Sequence, residues 1–323
     1  MFNKLRINKK MTFIDFLSGT PARSYIFQNE AYDVQIQRAA RMIEDAEYIL
    51  LGAGSGLSTA AGVCYGGDFF KENFSEFIEL YGENGYMADM YSAGFYPYPS
   101  EEAKWGYWSK HALLGGVDLE PLPLYKKLLE LLKDKNYFVL TTNVDEQFYK
   151  AGFDRKRIFS TQGSYEKIQC RRGCHPKTYH GTEMFHQMDQ ARKKCLIPSY
   201  MVPRCPVCGG PMEMNLRSDQ YFVQDENWYA EQKNFGDFLS EALNSGKNVL
   251  TMCLGTGFNT PTIIRFPFEK LVRENSNVSL LRLNRNEAVV EEGCQDREVG
   301  INADMARSIA DILQKVNEGG KQS

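Results

Sequence analysis

The chain has 323 residues, with 38 Lys and Arg against 41 Asp and Glu, and therefore a formal charge of −3. These proportions, with 43% hydrophobic residues, are typical of a globular protein and exclude collagen-like and disordered classes. The nearly balanced charge argues against nucleic acid as the main partner. No stretch approaches the roughly 20 apolar residues that a membrane-spanning helix needs, so we expect no membrane partner and a cytoplasmic location.

Helical and strand-like patterns alternate along most of the chain. After a lead-in at residues 1–30, apolar residues recur at helical spacing at 36–43, 124–131 and 235–242. Each of these predicted helices is followed by a short apolar run, at 48–51, 137–140 and 248–254. Runs at 158–160 and 278–283 predict two more strands, and 305–316 predicts a closing helix. This alternation predicts an α/β fold with a doubly wound parallel sheet.

Two segments interrupt the alternation. Residues 65–108 contain 14 aromatic residues in 44 positions, which predicts a helical insertion packed by its own rings. Residues 165–216 hold two cysteine pairs and three of the four histidines with little periodicity, so they need a staple other than a large core. We expect these two segments to form one small domain. The large domain is then 31–64, 109–164 and 217–323.

A glycine-rich turn follows the first predicted strand. It consists of Gly52-Ala53-Gly54-Ser55-Gly56, and a predicted helix begins directly after it at Leu57 and Ser58. Glycines let backbone amides approach a pyrophosphate, and a helix N-terminus favours negative charge, so the turn predicts a nucleotide or dinucleotide site. The alternative is a tight strand-to-helix turn without a ligand.

A polar motif follows the second long strand. Thr142-Asn143-Val144-Asp145 lies at the carboxyl end of a predicted parallel strand, where side chains face the ligand crevice. The alternative is that Asn143 and Asp145 only cap the next helix.

Taken in order, four motifs make the chain resemble the sirtuins, a family of NAD-dependent enzymes. Gly52-Ala53-Gly54 resembles the family's Gly-Ala-Gly, and Thr142-Asn143-Val144-Asp145 its Gln-Asn-Ile-Asp. Gln162-Gly163-Ser164 stands where the family has His-Gly-Ser, and Gly255-Thr256-Gly257 resembles its Gly-Thr-Ser. The likeness spans about 31–316. It implies a Rossmann-like NAD-binding domain with a smaller zinc-binding and helical lobe.

Leu283-Asn284 and Ala303-Asp304 resemble later nucleotide-contacting segments of the family. The resemblance therefore also implies which positions contact NAD. These are Gly52, Ala53, Gly54, Leu57, Ser58, Thr142, Asn143, Val144, Asp145, Gln162, Gly255, Thr256, Gly257, Asn284, Arg285, Asp304 and Met305.

The chain departs from the usual sirtuin pattern at three places. The family's Pro-Asp-Phe-Arg is absent, with Tyr65-Gly66-Gly67-Asp68-Phe69 in that region; Thr142 replaces a glutamine; and Gln162 replaces the histidine base. With the stretch from Pro97 to Trp108, these changes resemble the macrodomain-linked class M sirtuins. Members of that class are described as protein ADP-ribosyltransferases that act on a lipoylated glycine-cleavage H-like carrier protein and are paired with a macrodomain hydrolase.

Glutamine at position 162 has a chemical consequence. Deacylation requires a ribose hydroxyl to be deprotonated so that it attacks a trapped acyl group, and an imidazole with a pKa near roughly 6.5 suits that step. A carboxamide cannot carry the proton, and loss of a general base costs on the order of 10² to 10⁴ in rate. Transfer of ADP-ribose to an anionic acceptor needs little help from a base. We therefore assign Asn143 to position the nicotinamide ribose or the acceptor, and Gln162 to hold the ribose.

The cysteine pairs indicate a structural metal site. Cys170, Cys174, Cys205 and Cys208 suit a tetrahedral Zn²⁺ held by four thiolates, which leaves no open position for water. One ligand could instead come from the following residues: Cys195, His175, His180 or His186. The alternative is free thiols in a reducing cell.

Three rival functions remain open from the sequence. An NAD-dependent deacylase is favoured if another base, such as His111, reaches the ribose. A non-catalytic NAD sensor would release no nicotinamide, and an NAD hydrolase would release free ADP-ribose without modifying a protein.

Overall fold

The structure is a computed structural model that describes residues 11–319, so residues 1–10 of the expected lead-in and residues 320–323 of the expected large domain lie outside it. The described helices are α1 Phe13–Leu17, α2 Tyr32–Asp45, α3 Ser55–Ala60, α4 Gly67–Asn73, α5 Ser75–Tyr81, α6 Met90–Gly94, α7 Glu101–Ala112, α8 Pro123–Leu132, α9 Gln147–Lys150, α10 Thr182–Ala191, α11 Glu226–Asn244, α12 Arg265–Glu274 and α13 Met305–Gly319. The described strands are β1 Tyr25–Ile26, β2 Tyr48–Ala53, β3 Asn136–Thr141, β4 Ile158–Ser160, β5 Gly163–Cys170, β6 Thr178–His180, β7 Met212–Leu216, β8 Val249–Leu254, β9 Val278–Asn284, β10 Val290–Glu291 and β11 Glu298–Asn302.

Six strands form the central sheet in the order β11-β9-β8-β2-β3-β4, and every neighbouring pair is parallel. β2 and β8 are buried along their whole length because helices cover both faces, which explains their continuous apolar sequences. α2, α8 and α13 pack on one face, and α1, α11 and α12 pack on the other. The predicted doubly wound parallel sheet is therefore confirmed.

The edge strand β11 has no counterpart among the predicted strands. Its sequence, Glu298-Val299-Gly300-Ile301-Asn302, is too short and too polar at its ends to read as an apolar run. Gly300 is required there because an added Cβ would lie 2.0 Å from the carbonyl oxygen of Ala288. Pairing with β9 places the strand, and this contact is not visible in the local sequence.

The predicted helical insertion consists of α4 to α7, packed around its own rings. Phe74, Phe77 and Tyr107 meet with ring centroids 5.3 to 6.0 Å apart, and all three are fully buried. Most of the aromatic residues of this segment therefore pack a helical core rather than line a tunnel.

Residues 165–216 contain regular structure although their sequence shows little periodicity. They contain β6, most of β5 and β7, which form an antiparallel sheet in the order β6-β5-β7, and the ten-residue helix α10. The sequence shows little periodicity here because these elements share their core with the insertion. Trp105 of the insertion stacks on Phe185 of α10 with ring centroids 6.4 Å apart. We call 65–108 and 165–216 together the small lobe.

The described part of the lead-in packs on the large domain. Phe16 of α1 is buried against Phe235 and Phe268, and β1 pairs with β10. No helix of residues 11–319 is both long and apolar enough to span a bilayer.

Candidate functional site

The predicted NAD motifs meet at the carboxyl edge of the central sheet. The Gly54 amide donates to Leu254 O, and the Thr142 amide donates to Ala53 O, both at 3.0 Å. The Gly255 amide donates to Leu283 O at the same distance. Four segments far apart in the sequence are thereby held side by side, as expected for a ligand crevice in a parallel sheet.

The two glycine loops at this edge touch through their backbones. An added Cβ would lie 2.9 Å from Gly255 O at Gly54 and 2.8 Å from Gly255 Cα at Gly56. A Cβ at Gly255 would lie 2.2 Å from the Leu57 amide nitrogen, and the φ angle of Gly255 is +63°. The glycines are thus required by loop-to-loop packing, which also keeps side chains off the surface that a dinucleotide diphosphate would approach. These loops therefore fit NAD.

Asn143 is held by a buried polar network. Its side-chain amide donates to Ser58 Oγ at 3.1 Å and to Tyr125 Oη at 3.2 Å, and those two hydroxyls are 2.8 Å apart. Ser58 also donates to the Asp145 carboxylate. No residue between 11 and 319 donates to Asn143 Oδ1, so this oxygen is available to accept a hydrogen bond from a substrate.

Asp145 lies at the bottom of this network. Its side chain is 2% exposed, and burial raises the pKa of its carboxyl, opposed by the Ser58 hydrogen bond. Tyr65 lies near the same carboxylate and Ser58, and burial raises the pKa of its phenol. Tyr65 and Tyr125 were missed as site residues. Tyr125 lies within an ordinary helical apolar pattern, and Tyr65 lies in the segment where the family motif is absent.

His111, the base on which the deacylase alternative depends, is fully enclosed. Its Nδ1 is 3.0 Å from Tyr107 Oη and its Nε2 is 2.9 Å from Tyr165 Oη, and Tyr107 donates in turn to Met90 O at 2.5 Å. Burial lowers the pKa of His111 to about 3. His111 therefore bridges two tyrosines as a neutral imidazole rather than reaching the site as a base.

Gln162 lies at the turn between β4 and β5, one strand beyond Asn143. The neighbouring Thr161 amide donates to Thr141 O at 3.0 Å, which fixes the turn against the end of β3. The Gln162 side chain is partly exposed, and Nε2 makes a long hydrogen bond of 3.4 Å to Thr161 Oγ1. Its amide is therefore only weakly engaged within the protein.

The remaining predicted NAD contacts lie along the same edge. Asn284 donates to Thr256 O at 3.3 Å and accepts from two backbone amides of its own turn. Arg285 is exposed beside it. Asp304 caps α13 by accepting from the Arg307 amide at 2.8 Å, so its carboxylate has a structural partner. The last of the predicted contacts, Met305, packs in the core with Leu57.

The four predicted zinc ligands come together in the small lobe. Their sulfur atoms all lie within 4.8 Å of one another, with Cys170 Sγ 3.7 Å from Cys208 Sγ and Cys174 Sγ 3.6 Å from Cys205 Sγ. Thiolates bound at about 2.3 Å to one tetrahedral centre lie about 3.8 Å apart, so the cluster fits Zn²⁺.

The alternative ligands are arranged differently. Cys195 is buried against Glu76 O in the aromatic core of the insertion. His175 Nδ1 contacts Cys174 Sγ at 3.0 Å, so this histidine lies beside the cluster, while its Nε2 is 2.7 Å from Tyr179 Oη. His186 lies 3.2 Å from Asp118. The four cysteines therefore form the metal-binding set.

Taken together, the site suits chemistry at a sugar. It offers amide oxygens at Asn143 and Gln162 that can accept from ribose hydroxyls and a buried carboxylate at Asp145. No imidazole of the described residues faces Gln162 within hydrogen-bonding distance.

Comparison with known proteins identifies relatives of this chain. No family model matches the chain. A protein ADP-ribosyltransferase of Staphylococcus aureus strain Mu50 is 31% identical over 294 residues, which cover 91% of both chains. A probable bifunctional ADP-ribose hydrolase/ADP-ribosyltransferase of Fusarium oxysporum is 31% identical over 85% of this chain. The matched region covers 47% of that longer relative, so this chain spans about half of its length.

Solved structures agree on the fold. A Sir2 enzyme, 17% identical, aligns over 88% of this chain and 99% of its own with a TM-score of 0.52. A Sir2 homologue in complex with NAD, 15% identical, aligns over 92% of this chain and 98% of its own with the same TM-score of 0.52. The chain therefore belongs to the protein ADP-ribosyltransferases that are built on the sirtuin fold.

Proposed function

We propose that this protein transfers ADP-ribose from NAD, with release of nicotinamide, to an acceptor side chain of a lipoylated glycine-cleavage H-like carrier protein. A macrodomain hydrolase that removes the modification is the proposed functional partner. The name of the Fusarium relative, which joins an ADP-ribose hydrolase and an ADP-ribosyltransferase in one protein, supports that pairing.

The proposed reaction requires few groups from the enzyme. The bond between ribose C1′ and nicotinamide breaks, and its electron pair leaves with neutral nicotinamide. A carboxylate oxygen of the acceptor then forms the new bond to C1′, and no proton has to be removed. Asn143 and Gln162 orient the ribose by accepting from its hydroxyls, and the buried Asp145 holds Asn143 in place through Ser58.

The observation that carries the proposal is the absence of a base where a deacylase needs one. All four histidines of the chain lie in described residues. His111 is enclosed between two tyrosines, and the others, His175, His180 and His186, are in the small lobe between 175 and 186. Gln162 therefore acts as a hydrogen-bonding group.

The test is incubation with NAD labelled in its adenylate part and the lipoylated carrier protein. The wild type should transfer label to the carrier, and Asn143→Ala should lower the rate by about 10² because a group that orients the transition state is removed. Gln162→Ala should lower it less. Asn244→Ala, an exposed amide at the end of α11 away from the site, is the matched control and should not change the rate.

Each rival function gives a different product. O-acyl-ADP-ribose from an acylated lysine peptide would establish a deacylase, and free ADP-ribose without labelled protein would establish a hydrolase. Absence of nicotinamide release with the carrier present would favour an NAD sensor.

A further inference from the structure

Arg217 lies directly beside Gln162. It follows β7, and its backbone amide donates to Gln162 O at 3.0 Å. Its Nε donates to Thr161 O at 3.3 Å, so the side chain turns back toward the same segment. The guanidinium is therefore fixed at the end of β4, next to the residue that is assigned to hold the ribose.

Two aromatic rings hold this guanidinium in place. Arg217 Cζ is 4.4 Å from the ring centroid of Phe222 and 5.6 Å from that of Trp228. Trp228 Nε1 donates to Thr161 O at 3.4 Å, the same carbonyl that Arg217 contacts. We call Arg217, Phe222 and Trp228 the arginine clamp. Stacking on rings fixes the plane of the guanidinium and reduces its hydration.

The positive charge of the clamp has no counter-ion within the described chain. Arg217 makes no ion pair with any residue of 11–319. Partial burial lowers the pKa of Arg217, yet a guanidinium remains charged at neutral pH. Its two terminal nitrogens have no hydrogen-bond partner among those residues, and the residue is exposed. A preorganised, unpaired cation of this kind is complementary to an anion.

We propose that the arginine clamp binds a carboxylate on the acceptor protein and thereby holds the acceptor against Gln162. A planar guanidinium binds a carboxylate through two parallel hydrogen bonds, which a lysine cannot reproduce. The inference rests on the proposed function, because it assumes that a protein acceptor approaches the ribose from the Gln162 side. It adds the chemical class of the docking group, an Asp or Glu side chain.

The diphosphate of NAD is the other anion near the site. The glycine loops follow β2 and β8, which lie two and three strands from β4 in the order β8-β2-β3-β4. At about 4.8 Å per strand, the end of β4, where the clamp is anchored, is roughly 10 to 14 Å from those strands across the sheet. This separation assigns the clamp to the acceptor rather than to the diphosphate.

The first test uses a defined probe and no catalysis. Blocked tetraglutamate and tetraglutamine peptides are titrated into wild type, Arg217→Gln, Arg217→Lys and Arg155→Gln at low ionic strength, and binding is followed by tryptophan fluorescence. Wild type should bind tetraglutamate more tightly than tetraglutamine. Arg217→Gln should weaken tetraglutamate binding at least about tenfold, because a charge-assisted hydrogen-bonded pair is lost, and Arg217→Lys should weaken it by less.

Arg155 is the matched control because it is also an exposed arginine over a tyrosine ring, at 5.0 Å from Tyr149, but precedes β4 at its opposite end. Arg155→Gln should bind as wild type does. Equal binding of the two peptides by wild type, or unchanged tetraglutamate binding by Arg217→Gln, would overturn the proposal.

The second test separates this proposal from the proposed function. In the labelling reaction with the lipoylated carrier, Arg217→Gln should raise the KM for the carrier at least about fivefold more than it raises the KM for NAD. The kcat should change less than either KM. Thermal unfolding checks that the variant is folded. A larger rise in the KM for NAD would assign the clamp to the diphosphate and overturn the inference. If wild type labels no carrier but binds tetraglutamate through Arg217, the proposed carrier is wrong and the anion site stands. If wild type labels the carrier and Arg217→Gln does so with the same kcat and KM values, the proposed carrier stands and the clamp does not bind the acceptor.

Discussion

Glu146 combines an unusual backbone conformation with an unusual carboxyl group. Its φ angle is +60°, in the left-handed region of backbone conformation that residues other than glycine, asparagine and aspartate rarely adopt. Burial raises the pKa of its carboxyl to about 7, with Glu166 and Glu231 acting in the same direction and Ser164 and Lys167 opposing. Because Glu146 directly follows Asp145, this strained residue fixes the path of the chain where the polar motif ends.

The raised pKa predicts how stability depends on pH. Below about pH 4.5 the carboxyl is protonated in both folded and unfolded chains, so its contribution to stability is fully present. As the pH rises toward 7, the unfolded chain loses the proton first, and this contribution is lost. Glu146→Gln should therefore raise the free energy of unfolding at pH 8 by about 1 to 3 kcal/mol and flatten the slope between pH 4.5 and 7. Part of that slope should remain, because the pKa of Glu298 is also raised to about 7.

Denaturant unfolding at several pH values measures this effect. Lys194 is the other described non-glycine residue with positive φ, at +55°, and is exposed. Lys194→Gly should stabilise by about 1 kcal/mol at every pH, since it relieves only the backbone. A Glu146→Gln variant with the wild-type slope would disprove the assignment.

At the scale of elements, the two glycine loops form one unit whose shape depends on the absence of side chains. Gly255→Ala should destabilise the protein by about 2 kcal/mol or more and abolish NAD binding, because the new Cβ meets the Leu57 amide and the backbone is left-handed. Calorimetric titration with NAD and thermal unfolding measure the two effects. Gly236→Ala is the control: it lies within α11 with nothing within 4 Å, so it should stabilise by about 1 kcal/mol and leave NAD binding unchanged.

The cysteine cluster holds the end of β5 against the segment that leads into β7. Cys208→Ser should lose bound zinc and lower the stability of the small lobe by about 3 kcal/mol or more, because zinc binding there is coupled to folding. Metal analysis and hydrogen exchange of β5 to β7 test this. Cys64 is also an exposed cysteine but lies outside the cluster, so Cys64→Ser should keep the metal content and the exchange protection of wild type. Full protection in a zinc-free Cys208→Ser would show that the strands need no metal.

At the scale of the whole molecule, a buried group of charged side chains connects the lead-in to α12 and β9 of the large domain. Glu269 accepts from Arg282 at 2.7 Å and from Tyr25 of β1 at 2.7 Å, and Arg265 lies 3.4 Å away. Burial, with the neighbouring Glu269, raises the pKa of Tyr25 to about 12. The segment before the first predicted helix is therefore part of the large domain's packing.

Apolar contacts of α1 allow a direct test of this integration. Phe16→Ala should lower the free energy of unfolding by about 3 to 5 kcal/mol, since Phe16 is 1% exposed within an aromatic cluster. Ile14, on the same helix, is 80% exposed, so Ile14→Ala should change stability by less than about 0.5 kcal/mol. Urea unfolding compares the two variants, and similar losses would show that α1 is not docked as described.

The sequence by itself determined the alternation of helices and strands, the order of the four motifs and the cysteine pairs. Each of these is a local pattern, set by periodicity or by the spacing of a few neighbours. Only the tertiary structure decided that Tyr125 supports Asn143, and that Arg217 is clamped beside Gln162. The hydrogen bonds from Asn143 to Tyr125 and from the Arg217 amide to Gln162 O join residues that are 18 and 55 positions apart along the chain. No local pattern encodes such pairings, because they depend on how elements from distant parts of the chain pack against each other.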